Sequence, residues 1–161
     1  MTFYYLDASA WVKRYHQEIG TDWVRDLFRR KQPLACASIG LVEVIATLAR
    51  KRKAGAFDQA GLDEKMDELV EDWDDFIQIH FTPEAVLFAR ESAYRMALRG
   101  ADAIHLGSAL ILSQRFAASG DEVVLVASDR ELKAAAQASG LSVLDPTEEE
   151  QSNPPSHETL N

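Results

Sequence analysis

Val123-Val124-Leu125-Val126-Ala127-Ser128-Asp129 is an apolar run that ends in a hydroxyl and an acid. A strand with one wet face alternates apolar and polar residues, whereas this run is apolar at every position. That is the pattern of a strand buried on both faces, which in turn implies a parallel sheet covered by helices. Phe3-Tyr4-Tyr5-Leu6 repeats the arrangement and also ends in an acid, Asp7. Leu34–Ala37, Phe76–His80 and Leu141–Leu144 read as three more short strands. Helical patterns separate them. They cover Ala8–His16, Thr21–Lys31 with Thr21 as its cap, and Ser38–Lys53 with Ser38 as its cap and Gly55 as its stop. They continue over Asp58–Asp72, Pro83–Leu98 after a Thr82 cap and before a break at Gly100, Ala101–Phe116, and Asp129–Ala138. Strands alternating with helices predict one α/β domain over residues 1–145 with a mostly parallel sheet. Residues 146–161 are acidic, contain proline and hold almost no apolar residues, so they read as a disordered tail.

Composition narrows the partners. Of 161 residues, 47% are apolar and 27% charged, as in ordinary globular chains. No apolar run approaches the roughly eighteen residues of a membrane span. The N-terminus has neither the basic start nor the apolar core of a signal peptide. The single cysteine, Cys36, lies in an apolar stretch and reads as a small buried hydrophobe. Together these predict a reducing, cytoplasmic setting. The net charge of −9 argues at first against nucleic acid. The acids are segregated, however. Residues 145–161 carry five acids and no Lys or Arg, and the segment 63–75 carries eight acids against Lys65 alone. Basic residues gather at Arg25, Arg29, Arg30 and Lys31, and at Arg50–Lys53, so a basic surface survives. Each run also suits a solvated helix face, and Arg50–Lys53 suits a helix C-terminus.

Strands of an open parallel sheet bind ligands at their carboxyl ends. Asp7 and Asp129 therefore project to the same edge. Asp102 is the one acid in the otherwise apolar stretch Ala101–Leu112, where a charge needs a partner, a metal or a positive helix end. Glu43 lies in the second turn of the helix that follows the second strand. Gathered acids repel unless a cation compensates. Hard ions such as Mg²⁺ or Mn²⁺ prefer carboxylate oxygen, and they support phosphodiester hydrolysis by activating water. Zinc fits poorly, because His16, His80, His105 and His157 show no paired ligand spacing. His105 lies one helical turn beyond Asp102 and reads as a core histidine ahead of a site residue. Trp11 and Trp23 read as core, though with Tyr15 they could stack on bases.

Leu6–Ala10, Val42–Val44, Arg99–Leu106 and Ala127–Leu132 resemble, in order, the four acidic motifs of the PIN-domain ribonucleases. The likeness is strongest to the toxins of VapBC-type toxin–antitoxin pairs, and it runs from residue 3 to about residue 145. The resemblance implies a three-layer α/β/α sandwich and Mg²⁺- or Mn²⁺-dependent endoribonuclease activity on RNA. It implies catalytic, metal-binding roles for Asp7, Glu43, Asp102 and Asp129, with Ser9 and Ser128 supporting them by hydrogen bonds. It further implies a homodimer and a cognate antitoxin. Two rival readings remain. One is a non-catalytic PIN-like binding module, against which the four intact acids count. The other is a haloacid-dehalogenase-like phosphohydrolase using Asp7, against which Ser9 counts, since those enzymes carry an acid there.

Overall fold

The computed structural model describes residues 1–153. Its five strands are β1 (Thr2–Leu6), β2 (Leu34–Ala37), β3 (Ile77–Ile79), β4 (Glu122–Val126) and β5 (Ser142–Leu144). They lie in the order β3-β2-β1-β4-β5, and every neighbouring pair is parallel. β1 and β4 pair from Thr2 opposite Glu122 to Leu6 opposite Val126. The two strands therefore end level, and the acids that follow them leave from one edge of the sheet.

The helices are α1 (Ala8–Trp11), α2 (Thr21–Arg29), α3 (Ser38–Lys53), α4 (Gln59–Asp74), α5 (Pro83–Met96), α6 (Gly100–Phe116), α7 (Arg130–Ala138) and α8 (Pro146–Ser152). Side chains alternate across a strand, and the two sheet faces accordingly build two cores. Phe3, Tyr5, Ala35, Val123 and Leu125 pack against Ala89, Leu106, Ala109 and Leu132 from α5, α6 and α7. Leu6, Leu34, Cys36 and Val126 pack against Trp11, Leu27, Val44, Leu48 and Leu69 from α1 to α4. Each such buried aliphatic side chain contributes roughly 1.5–3 kcal/mol. This is the expected α/β/α sandwich, and its sheet is wholly parallel. Cys36 and Trp11 are fully buried, as their settings predict.

The sequence reading departs from the structure mainly at element ends. Ala8–His16 is helical only to Trp11, after which a tight 3-10 turn covers Val12–Arg14. Ser38 begins α3 but does not cap it; its hydroxyl reaches the Ile79 carbonyl and His80 Nδ1. Thr21 likewise opens α2 without capping it, its hydroxyl accepting from Glu18 N and donating to the His16 carbonyl. Gly100 opens α6, whereas α5 already ends at Met96 with Ala97 in the left-handed region. The disordered tail expected from residue 146 is corrected over 146–152, which form α8. Asp145 accepts from Thr147 N, Pro146 opens the helix, and Glu150 Oε2 accepts from the free Asp22 and Trp23 N–H groups at the start of α2. Acids near helix N-termini are stabilised there, so the composition that reads as disorder also suits docking. Residues 154–161 of the expected tail lie outside the described residues.

α5 and α6 touch closely at Gly107. A Cβ on Gly107 would stand 2.9 Å from Ala89 N and 3.0 Å from Phe88 Cβ. Gly107→Ala is therefore expected to destabilise the fold by about 1–3 kcal/mol through overpacking. A thermal melt checks this, and an unchanged melting temperature would show that the two helices separate at little cost.

Candidate active site

Asp7 and Asp129 each stand where a strand gives way to a helix, the position that favours an N-cap acid. Asp7 Oδ1 accepts from Ala10 N at 3.0 Å, and Asp129 Oδ1 accepts from Leu132 N at 2.8 Å. Capping engages one oxygen of each and leaves the other at the sheet edge. Ser9 Oγ lies 2.8 Å from both Asp7 oxygens. Asp7 is only 3% exposed. Burial raises its carboxyl from 3.8 to about 6, although His105 and the hydrogen bonds from Ser9 and Ala10 pull the other way.

Asp102 sits in the first turn of α6. Its carboxyl is also raised, first by burial and then by the nearby Asp129 charge. Arg99 spans the two acids, 3.3 Å from Asp102 Oδ2 and 3.3 Å from Asp129 Oδ2. Arg99 belongs to the Arg99–Leu106 motif, and its spacing of three residues from Asp102 was a signal for this pairing.

Glu43 reaches the cleft from α3 and is held at 2.6 Å by His105 Nε2. His105 Nδ1 meets Tyr5 Oη at 2.9 Å, and Tyr5 Oη accepts from Ala37 N at 3.1 Å. The chain is satisfied with Tyr5 O–H donating a hydrogen bond to Nδ1 and Nε2–H donating to Glu43. His105 is thus a core residue, as the sequence suggests, and at the same time the residue that orients Glu43. Gly40 makes room for it: a Cβ there would lie 2.3 Å from Cys36 Sγ and 3.1 Å from the His105 ring.

The four acids line one cleft of about 660 Å³. Lys13, Arg50, Lys51 and Arg99 line the same cleft, with Glu18 beside Lys13, so an acidic floor carries mainly basic walls. Arg50 and Lys51 come from the basic run that ends α3. Lys13 was missed, and nothing in its sequence neighbourhood marks it; its Nζ is held by the Ile19 carbonyl. Ser128 also lines the cleft, but its role differs from the expected one. Its Oγ donates to Asp145 at 2.8 Å and reaches none of the four acids, while its backbone N–H donates to Ser9 Oγ at 3.0 Å. Trp11 and Tyr15 are buried and bonded to each other, which leaves them no part in stacking on bases.

Among the described residues, no three His, Cys, Asp or Glu side chains stand ready-made round one ion. Each acid is instead held by a neighbour: Ser9 on Asp7, His105 on Glu43, and Arg99 across Asp102 and Asp129. The donor chemistry nonetheless fits a hard divalent cation. The donors are carboxylate oxygens, and two of them carry charge that burial disfavours and a cation would stabilise.

The PIN domain family model matches residues 4–138. Ribonuclease VapC45 of Mycobacterium tuberculosis (strain CDC 1551 / Oshkosh) is 34% identical over 148 residues, covering 89% of this chain and 95% of the relative. Among solved structures, PAE2754 from Pyrobaculum aerophilum superposes with a TM-score of 0.60 at 22% identity, over 92% of this chain and 85% of that one. VapBC2 from Rickettsia felis, bound to a DNA fragment from their promoter, gives 0.62 at 15% identity, over 89% and 98%. At those identities the two structures speak to the fold.

Proposed function

This chain belongs to the PIN-domain family, and from that membership we propose that it is a divalent-metal-dependent endoribonuclease, the toxin of a toxin–antitoxin pair. The observation that carries the reading is the meeting of Asp7, Glu43, Asp102 and Asp129, from four separate elements, in one cleft with mainly basic walls. Asp7, Asp102 and Asp129 would hold Mg²⁺ or Mn²⁺ directly. Glu43, set by His105, would act on the metal or on the water beside it. A bound ion of this kind supplies an activated water and stabilises the departing oxygen of the phosphodiester.

The chain's own residues supply the rest. Arg50, Lys51 and Arg99 offer positive charge to RNA phosphates, which makes binding salt-dependent. Lys13, tied to the Ile19 carbonyl, pairs with Glu18 at 3.8 Å, which offsets its charge at the wall. Arg99 also holds Asp102 and Asp129 together against their mutual repulsion. No helix among the described residues is long and apolar enough to cross a membrane. Cytoplasmic action, a homodimer and an antitoxin that covers the cleft complete the proposal, the last supported by the likeness of the fold to that of VapBC2.

The test is RNA cleavage by the purified protein with Mg²⁺ or Mn²⁺ and with EDTA. Cleavage is expected with either ion and none with the chelator. Absence of cleavage, together with no heat of Mn²⁺ binding at millimolar ion, would leave a non-catalytic binding module.

A further inference from the structure

We propose that Asp145 is a positioning residue of this cleft, fixing from the end of β5 the hydrogen bonds that aim Ser9 at Asp7. This rests on the reading of the cleft as a divalent-metal site. Asp145 follows β5 and is 7% exposed. Its Oδ2 accepts from Lys133 Nζ at 2.6 Å, and its Oδ1 accepts from Thr147 N at 2.9 Å and Ser128 Oγ at 2.8 Å. Capping of α8 explains the Thr147 contact alone. The bond to Ser128 runs the other way, into the link between β4 and α7.

That link carries Asp129 and faces Asp7. With its side chain tied to Asp145, Ser128 presents its backbone N–H to Ser9 Oγ at 3.0 Å. A serine hydroxyl has one proton and two lone pairs. Accepting from Ser128 engages a lone pair and leaves the proton for Asp7, whose two oxygens are both 2.8 Å away. The line Asp145–Ser128–Ser9–Asp7 therefore connects a buried acid outside the cleft to one inside it. Residues that orient a metal's ligands typically change its affinity by about 10–100-fold when removed.

Mn²⁺ titration of the full chain by calorimetry tests the inference, with the melting temperature followed alongside. Asp145→Ala is expected to weaken Mn²⁺ binding about tenfold. Asp145→Asn keeps an oxygen for Ser128 and should restore most of that affinity, although it loses the charge that faces Lys133. In a Ser9→Ala background the further loss from Asp145→Ala should fall below about twofold, because coupled residues are non-additive. A general loss of structure would instead add in both backgrounds. If Asp145→Ala does not fold, Ser128→Ala removes the same link, leaves Asp145 bound to Lys133 and Thr147, and carries the same expectation. No Mn²⁺ binding by the wild type would overturn the metal reading and this inference with it. Wild-type binding with unchanged affinity in the variant, or equal losses in both backgrounds, would overturn the inference alone.

Discussion

Asp102→Asn is expected to lower RNA cleavage about a thousandfold, a loss of roughly 4 kcal/mol of transition-state stabilisation, while the protein stays folded. Asparagine has nearly the same shape and keeps one carboxyl-like oxygen, but it brings no negative charge to a cation. The position tolerates the change. Asp102 lies in the first turn of α6, its charge is opposed by burial and by Asp129, and Arg99 keeps Asp129 as a partner when Asp102 is neutralised. Initial cleavage rates at saturating Mn²⁺, with circular dichroism as the folding control, decide the matter. A folded variant that cuts within tenfold of the wild type would remove Asp102 from the metal site.

Asp7→Asn should show two effects of opposite sign. Cleavage is expected to fall by about the same thousandfold, since Asp7 is the acid placed most deeply in the cleft. Metal-free stability is expected to rise. In the fold, burial lifts the Asp7 carboxyl to about 6, against an ordinary 3.8. The folded chain therefore binds a proton through that window when the unfolded chain has released it. The stability this confers is complete below about 3.8 and is lost as pH rises through about 6. At neutral pH the ionised side chain costs on the order of 3 kcal/mol, a cost asparagine does not carry. Urea unfolding in EDTA between pH 4 and pH 8 is the measurement. The wild type should lose stability across that range more steeply than the variant. Equal slopes would mean that the Asp7 charge is solvated in the fold.

Much of the fold was legible because it is written locally. The run Val123–Ala127 is apolar on both faces, and only a sheet covered on both sides accepts that. The acids after the first and fourth strands were legible for the same reason, since parallel strands ending level must deliver Asp7 and Asp129 to one edge. Glu43 was not legible by periodicity alone. What places it is His105, which lies 62 residues away and is itself tied to Tyr5. The Arg99–Asp102 pair was legible in its spacing, but the reach of Arg99 to Asp129 and the bonds of Asp145 to Ser128 and Lys133 depend on packing between segments. Asp145 stood at the last position of the expected domain, directly before the acidic segment whose composition suggested disorder. Composition counts charges but does not show that Lys133 and Ser128 wait for one of them, or that Glu150 completes the start of α2.

The place of β1 in the sheet also bears on how the protein comes into being. β1 is made before the other four strands and lies at the centre, yet one of its edges stays open until β4, more than a hundred residues later, slots in beside it. Asp102 and Asp129 are made late as well, and Asp129 reaches the cleft only on the end of β4. A chain still emerging from the ribosome thus holds half of its acids and an unfinished sheet, and pairings so distant in sequence form slowly. A nuclease built in this order has no complete cleft until β4 has been made and has paired with β1.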